Sequence, residues 1–563
     1  MFLRMVLLAV LPLLGFYLYG KARHSRFQQF AAWPQLKPSL VWGHLKAFNE
    51  CIVTADPSRH IDIVLQEIKR HLGNPPVFLL DLRPIQRPLA IVCSHEVAEQ
   101  ISKSTRELPY SVPKSPTIQA LEPLLGPNSI LSAHGEEWRS LRKRFNPGFA
   151  PQHLMSLMPC ILDKAWRFLE NLDRRALDGN EFTLDEPCVN LTFDIIGAVT
   201  MDEDFCAQLG KDKQTELVRV YRELTRNYRT VTSNQWFTLN PRTIIYRWWL
   251  SRRIDTIISD HIRAKYAELK AQSATAVKSR SVLSLSLQDI DRLDNRIVAQ
   301  TRDQLKSFLF AGHDTTSILL QWAFYELSRT PRALAAIRAE LDDIFGADSS
   351  PAVVRDMLLS GQREGLVRRM SYTSAVIKEV LRLYPPSGTA RHLPYGSGFN
   401  VALPGGGSLC LDGTVIYNCA TVIQRDEEVY GPTAAEFRPE RWLGDTDTSM
   451  QTNVDAKDSG AEAGRIPASA WRPFERGPRN CIGQELANLE ARVILACTVR
   501  RYDFEKVGLG AITRDSKGLP VVDSNGQYEV KNQLFNTMQV TAKPVDGMKV
   551  KVRLVPEAAP LEA

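Results

Sequence analysis

One cysteine in a loop rich in glycine and proline is the residue of this chain best placed to do chemistry. The loop spans residues 474–483 and reads FERGPRNCIG, and a helical pattern begins at Gln484. The charge of Arg479 and a helix N-terminus would both favour the thiolate form of Cys481. A lone cysteine is otherwise a buried structural residue, but in this setting ligation of haem iron is the chemistry that fits.

A second candidate lies within a long helical pattern that runs from Asp289 to Thr330. Its middle, residues 311–316, reads AGHDTT and interrupts an otherwise apolar stripe. Glycine costs a helix roughly 1 kcal/mol relative to alanine, and a buried hydroxyl requires a partner. Such departures mark functional positions, here Asp314 and Thr315. The alternative is a helix in which the threonine bonds only to its own backbone.

Three charged residues form a third candidate. Glu379 and Arg382 lie three positions apart in a helical pattern, Met370–Tyr384, and alone would be an exposed ion pair of little value. Arg441 follows within the sequence FRPERW at residues 437–442.

A helix beginning near Ser132 carries a fourth candidate, the pair Trp138 and Arg142, one turn apart on one face. Alone, such a pair is a surface cation–π contact. Lys143 and Arg144 extend its basic end.

Together these segments resemble the cytochrome P-450 (haem-thiolate monooxygenase) superfamily. The loop has the pattern F-x-x-G-x-R-x-C-x-G, the long helix has [AG]-G-x-[DE]-T-[TS], and E-x-x-R is followed by P-E-R, in the order of that family. The resemblance extends over about residues 50–550. The wording around the motifs, with His313, Pro478 and Gln484, is similar to fungal microsomal members, many of which act in secondary metabolism.

The resemblance implies a role for each residue. Cys481 is the metal ligand, through its thiolate, of heme b. Asp314 and Thr315 are catalytic: Thr315 bonds the oxygen substrate or its water, and Asp314 relays protons. The remaining cofactor-binding residues are Trp138, Arg142, Arg391, Phe474, Arg479 and Gly483, with Trp138, Arg142 and Arg391 at the propionates. Glu379, Arg382 and Arg441 form a buried structural network, and the substrate contacts are Ile118, Phe308, Ala311 and Ser387.

The same resemblance implies a monooxygenase that inserts one oxygen atom of O2 into an apolar small molecule by hydroxylation or epoxidation, or desaturates it. No phosphate-binding loop is present, so electrons from NADPH must arrive through a separate protein, the NADPH–cytochrome P-450 reductase, with cytochrome b5 as a further donor. The reductase would dock on the basic strip at Lys143 and Arg144. Two alternatives are a reductase-independent haem-thiolate isomerase or dehydratase, and a non-catalytic haem-binding sensor.

The elements that hold these residues are mostly helical. Helical periodicity dominates from Glu96 to Tyr384, and short β-like runs separated by turns lie on either side. These runs are Val77–Leu82, Leu89–Cys93, Phe399–Leu403, Ser408–Leu411 and Val415–Tyr417. We therefore predict a mainly α fold with small β-sheets (α+β), the cytochrome P-450 fold, as a single large haem domain. Polar residues 443–470 indicate a surface insertion, and residues 555–563 a frayed tail.

The N-terminus predicts a membrane anchor. Residues 1–20 are almost entirely apolar and are followed by Lys21, Arg23, His24 and Arg26. No small-residue cleavage site follows, which disfavours a signal peptide, and a buried core helix is the other alternative. The predicted organisation is an anchor (1–20), a basic, proline-containing linker (21–50) and a catalytic domain (51–563). Positive charge after the anchor places that domain on the cytosolic side of the endoplasmic reticulum membrane, in a single-pass arrangement in contact with lipid.

Composition excludes several other classes. The net charge is +7, but the basic residues are dispersed, so the sequence carries no sign of nucleic-acid binding. The nine cysteines include no C-x-x-C pair and no zinc-ligand spacing. An odd, scattered set disfavours a disulfide framework and favours a reducing compartment.

Overall fold

A computed structural model describes residues 2–229, 241–271, 280–444 and 466–556, with the side chains of residues 2–9, 229 and 538 outside the description. The helices are α1 (Phe2–Arg23), α2 (Leu45–Thr54), α3 (Ile61–His71), α4 (His95–Ser102), α5 (Glu122–Leu125), α6 (Gly135–Phe145), α7 (Pro151–Ser156), α8 (Met158–Asp178), α9 (Asp185–Met201), α10 (Glu216–Arg229), α11 (Pro241–Ala271), α12 (Val282–Leu287), α13 (Asn295–Arg329), α14 (Pro331–Phe345), α15 (Pro351–Leu359), α16 (Arg363–Arg369), α17 (Ser371–Leu383), α18 (Ala420–Ile423), α19 (Glu427–Tyr430) and α20 (Gln484–Thr498). The strands are β1 (Val77–Leu80), β2 (Leu89–Val92), β3 (Phe182–Thr183), β4 (Thr389–His392), β5 (Asn400–Ala402), β6 (Ser408–Cys410), β7 (Val415–Asn418), β8 (Tyr502–Lys506), β9 (Asn536–Met538), β10 (Ala542–Pro544) and β11 (Lys549–Leu554). The prediction of a mainly helical fold with small sheets is confirmed.

The chain divides into two compact units. Unit 1 comprises Met1–Pro116, Gly388–Val429 and Ala461–Arg479, and unit 2 comprises Thr117–Ser387, Tyr430–Gly460 and Asn480–Ala563.

Unit 1 is built on a four-stranded sheet with the order β1-β2-β7-β4, in which only the central pair β2–β7 is parallel. Val77 and Leu79 of β1 belong to one apolar cluster, while Phe78 and Leu80 belong to another. Successive side chains of a strand point to opposite faces, so apolar groups cover both faces of this sheet. That explains why β1 and β2 are continuous apolar runs and do not alternate with polar residues.

Part of the segment that the sequence assigns to the linker packs within unit 1. Phe30, Trp33 and Leu36 are buried. The guanidinium of Arg26 donates to Asp81 Oδ2 at 2.6 Å. These contacts attach the segment to the end of β1 through both apolar packing and a buried ion pair.

Unit 2 is organised around α13, which packs against α9, α11, α17 and α20. Gly312 allows the close approach of α9, because a Cβ at this position would lie only 2.6 Å from Cδ1 of Ile196. The structure thus gives Gly312 a helix-packing role. Strands β3, β11 and β8 form a second sheet, and β9 pairs with β10 in a hairpin.

The start of α13 differs from the predicted Asp289. The helix begins at Asn295 because Asp294 caps it: its Oδ1 accepts from the backbone N–H of Ile297 at 2.7 Å. The sequence offers several acidic residues in this region, and their spacing alone does not identify the capping one.

Several predictions about the termini and insertions fall on undescribed residues. Among the residues whose side chains are described, no helix is both long and apolar enough to cross a membrane. The description leaves out residue 1 and the side chains of residues 2–9 in the predicted anchor, residues 445–465 in the predicted insertion and residues 557–563 in the predicted tail. The strands predicted at residues 77–82, 89–93, 399–403, 408–411 and 415–417 are confirmed within a few residues at each end.

Candidate active site

Cys481 lies two residues before the N-cap of α20, in a short loop at the start of unit 2's last segment. Its side chain is exposed, whereas Cys188 and Cys497 of the same unit are buried. A Cβ at Gly483 would contact only the Cys481 Sγ, at 3.9 Å. The sulfur is therefore accessible, and it lies beside the positive end of the α20 dipole.

Arg142 of α6 holds this loop in place. Its Nη1 donates to the carbonyl oxygen of Asn480 at 2.8 Å, and its Nη2 donates to Asn480 Oδ1 at 2.9 Å. Burial lowers the pKa of Arg142, and attraction to the Cys481 thiolate opposes that shift. Trp138, one turn earlier, is buried at 6% exposure. The structure thus gives Arg142 a loop-binding partner that the family resemblance did not anticipate.

The proposed docking strip after Arg142 is only partly on the surface. Lys143 is exposed, but Arg144 is half-buried and donates to Ser286 O at 3.1 Å and to Thr301 Oγ1 at 2.8 Å. Arg144 therefore fastens α6 within unit 2, and Lys143 is the more exposed cation of the two.

In unit 1, Arg391 of β4 is a buried cation with incomplete hydrogen bonding. It is 0% exposed, and its Nη1 donates to Val112 O at 3.1 Å. Its Nε and Nη2 have no hydrogen-bond partner among the described residues. Burial lowers the pKa of Arg391, and Glu475 opposes that shift. Burial and repulsion from Arg391 lower the pKa of Arg479 to about 10. The two unpartnered nitrogens of Arg391 could donate to an anion in addition to the charge that Glu475 supplies.

The first half of the cysteine loop is fixed by charge and by close packing. Burial would raise the pKa of Glu475, but Arg472, Arg391 and Lys114 lower it to about 2. Gly477 has φ +74°, and a Cβ there would overlap the carbonyl oxygen of Ser102. Phe474 is half-buried, with its ring 6.0 Å from that of Trp471.

Asp314 on α13 is buried in unit 2 and ion-paired. Its Oδ1 lies 2.6 Å from Lys543 Nζ, and its Oδ2 accepts from Thr541 Oγ1. Burial would raise the pKa of Asp314, but Lys543, His313 and Thr541 lower it to about 2. The side chain is therefore a carboxylate at any physiological pH.

The neighbouring Thr315 is half-buried, and its Oγ1 donates to Ala311 O at 2.7 Å. This bond satisfies the hydroxyl proton within the helix, while the oxygen can still accept a hydrogen bond from a ligand or water. His313, which has no role in the sequence prediction, is buried, and its Nδ1 lies 2.6 Å from Leu309 O.

The structure brings Glu379, Arg382 and Arg441 together in unit 2. Arg382 Nε and Nη2 each donate to a Glu379 oxygen at 2.8 Å, and Arg441 Nε donates to Oε1 at 2.9 Å. Trp442 Nε1 adds a fourth bond at 2.9 Å. Glu379 and Arg382 are both 0% exposed. Both oxygens of this carboxylate accept hydrogen bonds, and these bonds offset the free-energy cost of burying the charges.

The four candidate substrate residues lie in different environments within unit 2. Phe308 is 4% exposed, and its ring centroid is 5.4 Å from that of Phe145 and 5.1 Å from that of Phe149. Phe308 is thus part of an aromatic cluster. Ile118 and Ala311 are half-buried, and Ser387 is exposed.

Sequence reasoning did not find Asn480, Trp442 or Lys543. Asn480 and Trp442 are adjacent to motif residues, and their hydrogen-bonding side chains were an available signal. Lys543 carried no such signal, because its hairpin is far from Asp314 in the sequence. Thr541 of the same hairpin, which donates to Asp314, is 227 positions away from it.

Comparison with known proteins gives the family. The model of the cytochrome P450 family matches residues 38–530. The cytochrome P450 monooxygenase acrF of Aspergillus aculeatus is 31% identical over 493 residues, covering 84% of this chain and 94% of that protein. The cytochrome P450 monooxygenase polC of Polytolypa hystricis is 27% identical over 497 residues, covering 86% of this chain and 84% of that protein.

A solved structure gives the fold. The crystal structure of the cytochrome P450 CYP102L1 superposes with a TM-score of 0.65 at 18% identity, covering 88% of this chain and 98% of that one. With the family match extending over most of the residues, this chain belongs to the cytochrome P450 family and is an enzyme of the monooxygenase class.

Proposed function

We propose that this enzyme is a haem-thiolate monooxygenase in which Cys481 is the iron ligand and the substrate is an apolar small molecule. The main support for this proposal is the geometry of the Cys481 loop. An exposed cysteine precedes a helix N-terminus, and Arg142 binds the backbone and side chain of the residue before it. A thiolate that is accessible and lies beside positive charge is suited to metal ligation.

The residues fit haem b at its charged end as well. Arg391 has two guanidinium nitrogens without a hydrogen-bond partner among the described residues, although the group is 0% exposed. Repulsion from Arg391 also lowers the pKa of Arg479. A propionate carboxylate would supply acceptors for the two unpartnered nitrogens of Arg391 and a negative charge between the two guanidinium groups.

The chemistry divides between cofactor and protein. When bound, haem supplies the oxidation chemistry, which a thiolate ligand promotes by favouring O–O bond cleavage. The protein orients substrate and manages protons. Thr315 Oγ1 can accept a hydrogen bond from water, and the Asp314 carboxylate can orient water through its negative charge.

Electrons would come from NADPH through a separate reductase. Arg139 and Lys143 of α6 are exposed cations in the same unit as Cys481. An exposed basic surface of this kind suits an acidic protein partner.

We further propose that the enzyme lies on the cytosolic face of the endoplasmic reticulum membrane. One support is the apolar sequence of residues 1–20 with its basic flank. A second is the N-terminal part of α11, which exposes Ile245, Trp248 and Trp249 at 65%, 56% and 55%. Residues 241–254 contain four arginines and no acidic residue. Aromatic rings beside arginines suit an anionic lipid surface.

The test uses membranes that contain the full chain, reductase and NADPH, incubated with a fungal metabolite extract under isotopically labelled dioxygen. We expect a new product carrying one labelled oxygen atom, detected by mass spectrometry, that requires NADPH. A reductase-dependent product without the label would indicate desaturation. A product that forms without NADPH would replace this proposal with the isomerase or dehydratase activity, and haem binding without any NADPH consumption would favour the sensor.

A further inference from the structure

A buried cluster in unit 2 joins Asp314 of α13 to the hairpin of β9 and β10. Lys543 and Thr541 on this hairpin are 3% and 4% exposed. Lys543 Nζ lies 2.6 Å from Asp314 Oδ1 and 3.1 Å from Asp185 Oδ1, at the start of α9. Thr541 Oγ1 donates to the other oxygen of Asp314. We call these four residues the Asp314 clasp.

The charges around Asp314 come from several elements. Among the described residues, Lys543 is the one ammonium or guanidinium group within ion-pair distance of this carboxylate. On α13 itself, His313 Nε2 lies 4.0 Å away, and burial lowers the pKa of that imidazole, which favours its neutral form. On α10, burial and the Asp314 charge raise the pKa of Tyr221. Asp185 brings a second negative charge to the same ammonium.

The hairpin that carries Lys543 has its own attachments. Asn536 Oδ1 accepts from Trp322 Nε1 of α13 at 3.0 Å. The backbone N–H of Ala542 donates to Pro386 O at 2.9 Å. These bonds fix the hairpin independently of the Asp314 clasp, so the ammonium group is held in place rather than merely attracted to the carboxylate.

We propose that Lys543 is a positioning residue for the proton transfer assigned to Asp314, holding its carboxylate ionised and in one orientation. This inference rests on the proposed function and refines it. Asp314 acts by orienting water through a fixed negative charge, and it does not store a proton between turnovers. The hairpin of β9 and β10 thereby affects how much of the NADPH consumed leads to product and how much is lost as hydrogen peroxide.

The sign of the pH effect follows from the surroundings of the carboxylate. In the wild type, the pKa of Asp314 is about 2, below its value in the unfolded chain. This ion pair therefore stabilises the fold at neutral pH, and its contribution is lost as pH falls below about 4. In Lys543→Met the burial that remains would raise the pKa of Asp314 above its unfolded value. The loss of stability in that variant, relative to wild type, should therefore be largest at neutral pH and should become smaller as the pH falls.

The first experiment measures thermal unfolding of the full-length holoenzyme between about pH 4.5 and pH 8. Lys506→Met is the matched control: Lys506 is also 3% exposed, and its Nζ is also 2.6 Å from a carboxylate, that of Asp546. We expect the difference in unfolding temperature between wild type and Lys543→Met to become smaller as pH falls. The difference between wild type and Lys506→Met should decrease less. Asp314→Asn combined with Lys543→Met should restore part of the loss. Equal, pH-independent losses in both lysine variants without that restoration would overturn the proposal.

The second experiment separates positioning from stability. With reductase and NADPH, hydrogen peroxide formed per NADPH is measured across pH for wild type, Lys543→Met and Lys543→Arg. We expect Lys543→Met to release at least about threefold more peroxide per NADPH at neutral pH, with partial recovery in Lys543→Arg, which keeps the charge. An unchanged peroxide yield in Lys543→Met that still binds haem would overturn the positioning role. If the wild type itself consumes no NADPH, the proposed function fails, while the unfolding data still decide whether the Asp314 clasp exists.

Discussion

Among single residues, Arg391 gives the proposed haem site its most specific structural support. Its guanidinium is 0% exposed, and two of its nitrogens lack a hydrogen-bond partner among the described residues. A buried cation in this state is costly unless an anion completes it. The side chain is therefore better explained as a binding group than as part of a finished core.

Arg391→Met should accelerate haem loss. A hydrogen bond to a charged group contributes about 1.5–3 kcal/mol, so we expect haem to dissociate roughly ten- to a hundredfold faster. Transfer of haem to an excess of apomyoglobin measures this rate. Arg26→Met is the control, because Arg26 is also largely buried in unit 1 but is already paired with Asp81 at 2.6 Å. Equal rates in the two variants would remove Arg391 from the haem site.

Replacing Glu379 should affect the free energy of unfolding. Glu379→Gln would leave the guanidinium groups of Arg382 and Arg441 without their buried counter-charge, at a cost of about 3–5 kcal/mol. The denaturant midpoint of the full chain should fall accordingly. Glu364→Gln is the control, since Glu364 and Arg368 form an exposed i,i+4 pair. A midpoint for Glu379→Gln equal to that of the control would contradict a structural role for the network.

Single residues also show which parts of the site a sequence can reveal. The pair Glu379–Arg382 was predicted correctly, and Cys481 was singled out, because short spacings on a helix or loop carry the information. Arg142 was singled out too, but its contact with Asn480 was not predicted, because that bond joins residues 338 positions apart. Lys543 was missed altogether for the same reason: only folding brings the hairpin to α13.

Among secondary-structure elements, the cysteine loop is shaped by a close approach to the end of α4. The positive φ of Gly477 excludes most side chains, and a Cβ would also overlap Ser102 O. The loop can take this course only where residue 477 has no side chain.

Gly477→Ala should therefore be far more damaging than an alanine at another glycine with positive φ. Gly396 is the control: its φ is +81°, and a Cβ added there would have no atom within 4 Å. Gly396→Ala should cost about 1–2 kcal/mol of backbone strain, whereas Gly477→Ala should also displace the loop and lower the haem content of the purified protein. Equal haem content in the two variants would show that the contact with α4 does not shape the loop.

The helices and strands themselves were predictable to different degrees. The five strands of the sequence prediction were found because apolar runs between turn residues carry that signal. The start of α13 was misplaced by six residues, from Asp289 to Asn295, because only the capping bond of Asp294 identifies the boundary. The packing role of Gly312 was missed because it depends on Ile196 of α9.

For the molecule as a whole, the proposed membrane association rests on two separate segments. Residues 1–20 are apolar in sequence, and α11 exposes aromatic rings beside arginines. The guanidinium of Arg252 lies 5.2 Å from the ring of Trp248, so the ring and the charge would meet a lipid surface together.

Amide hydrogen exchange of the full chain should show protection of residues 241–254 on vesicles that contain phosphatidylserine. Replacing Trp248 and Trp249 together with serine should remove this protection while the N-terminal segment still binds. Leu177→Ser is the control, because Leu177 is exposed at 79% but lies at the end of α8. Equal exchange of residues 241–254 with and without vesicles would contradict lipid contact by α11.

The claim on which the whole account depends is that the Cys481 thiolate binds haem iron. The direct measurement is the absorption spectrum of the reduced protein with carbon monoxide, for wild type, Cys481→Ala and Cys410→Ala, the last being another exposed cysteine. We predict the long-wavelength Soret band of a thiolate-ligated haem in wild type and Cys410→Ala, and its loss in Cys481→Ala. Retention of that band in Cys481→Ala would contradict the account.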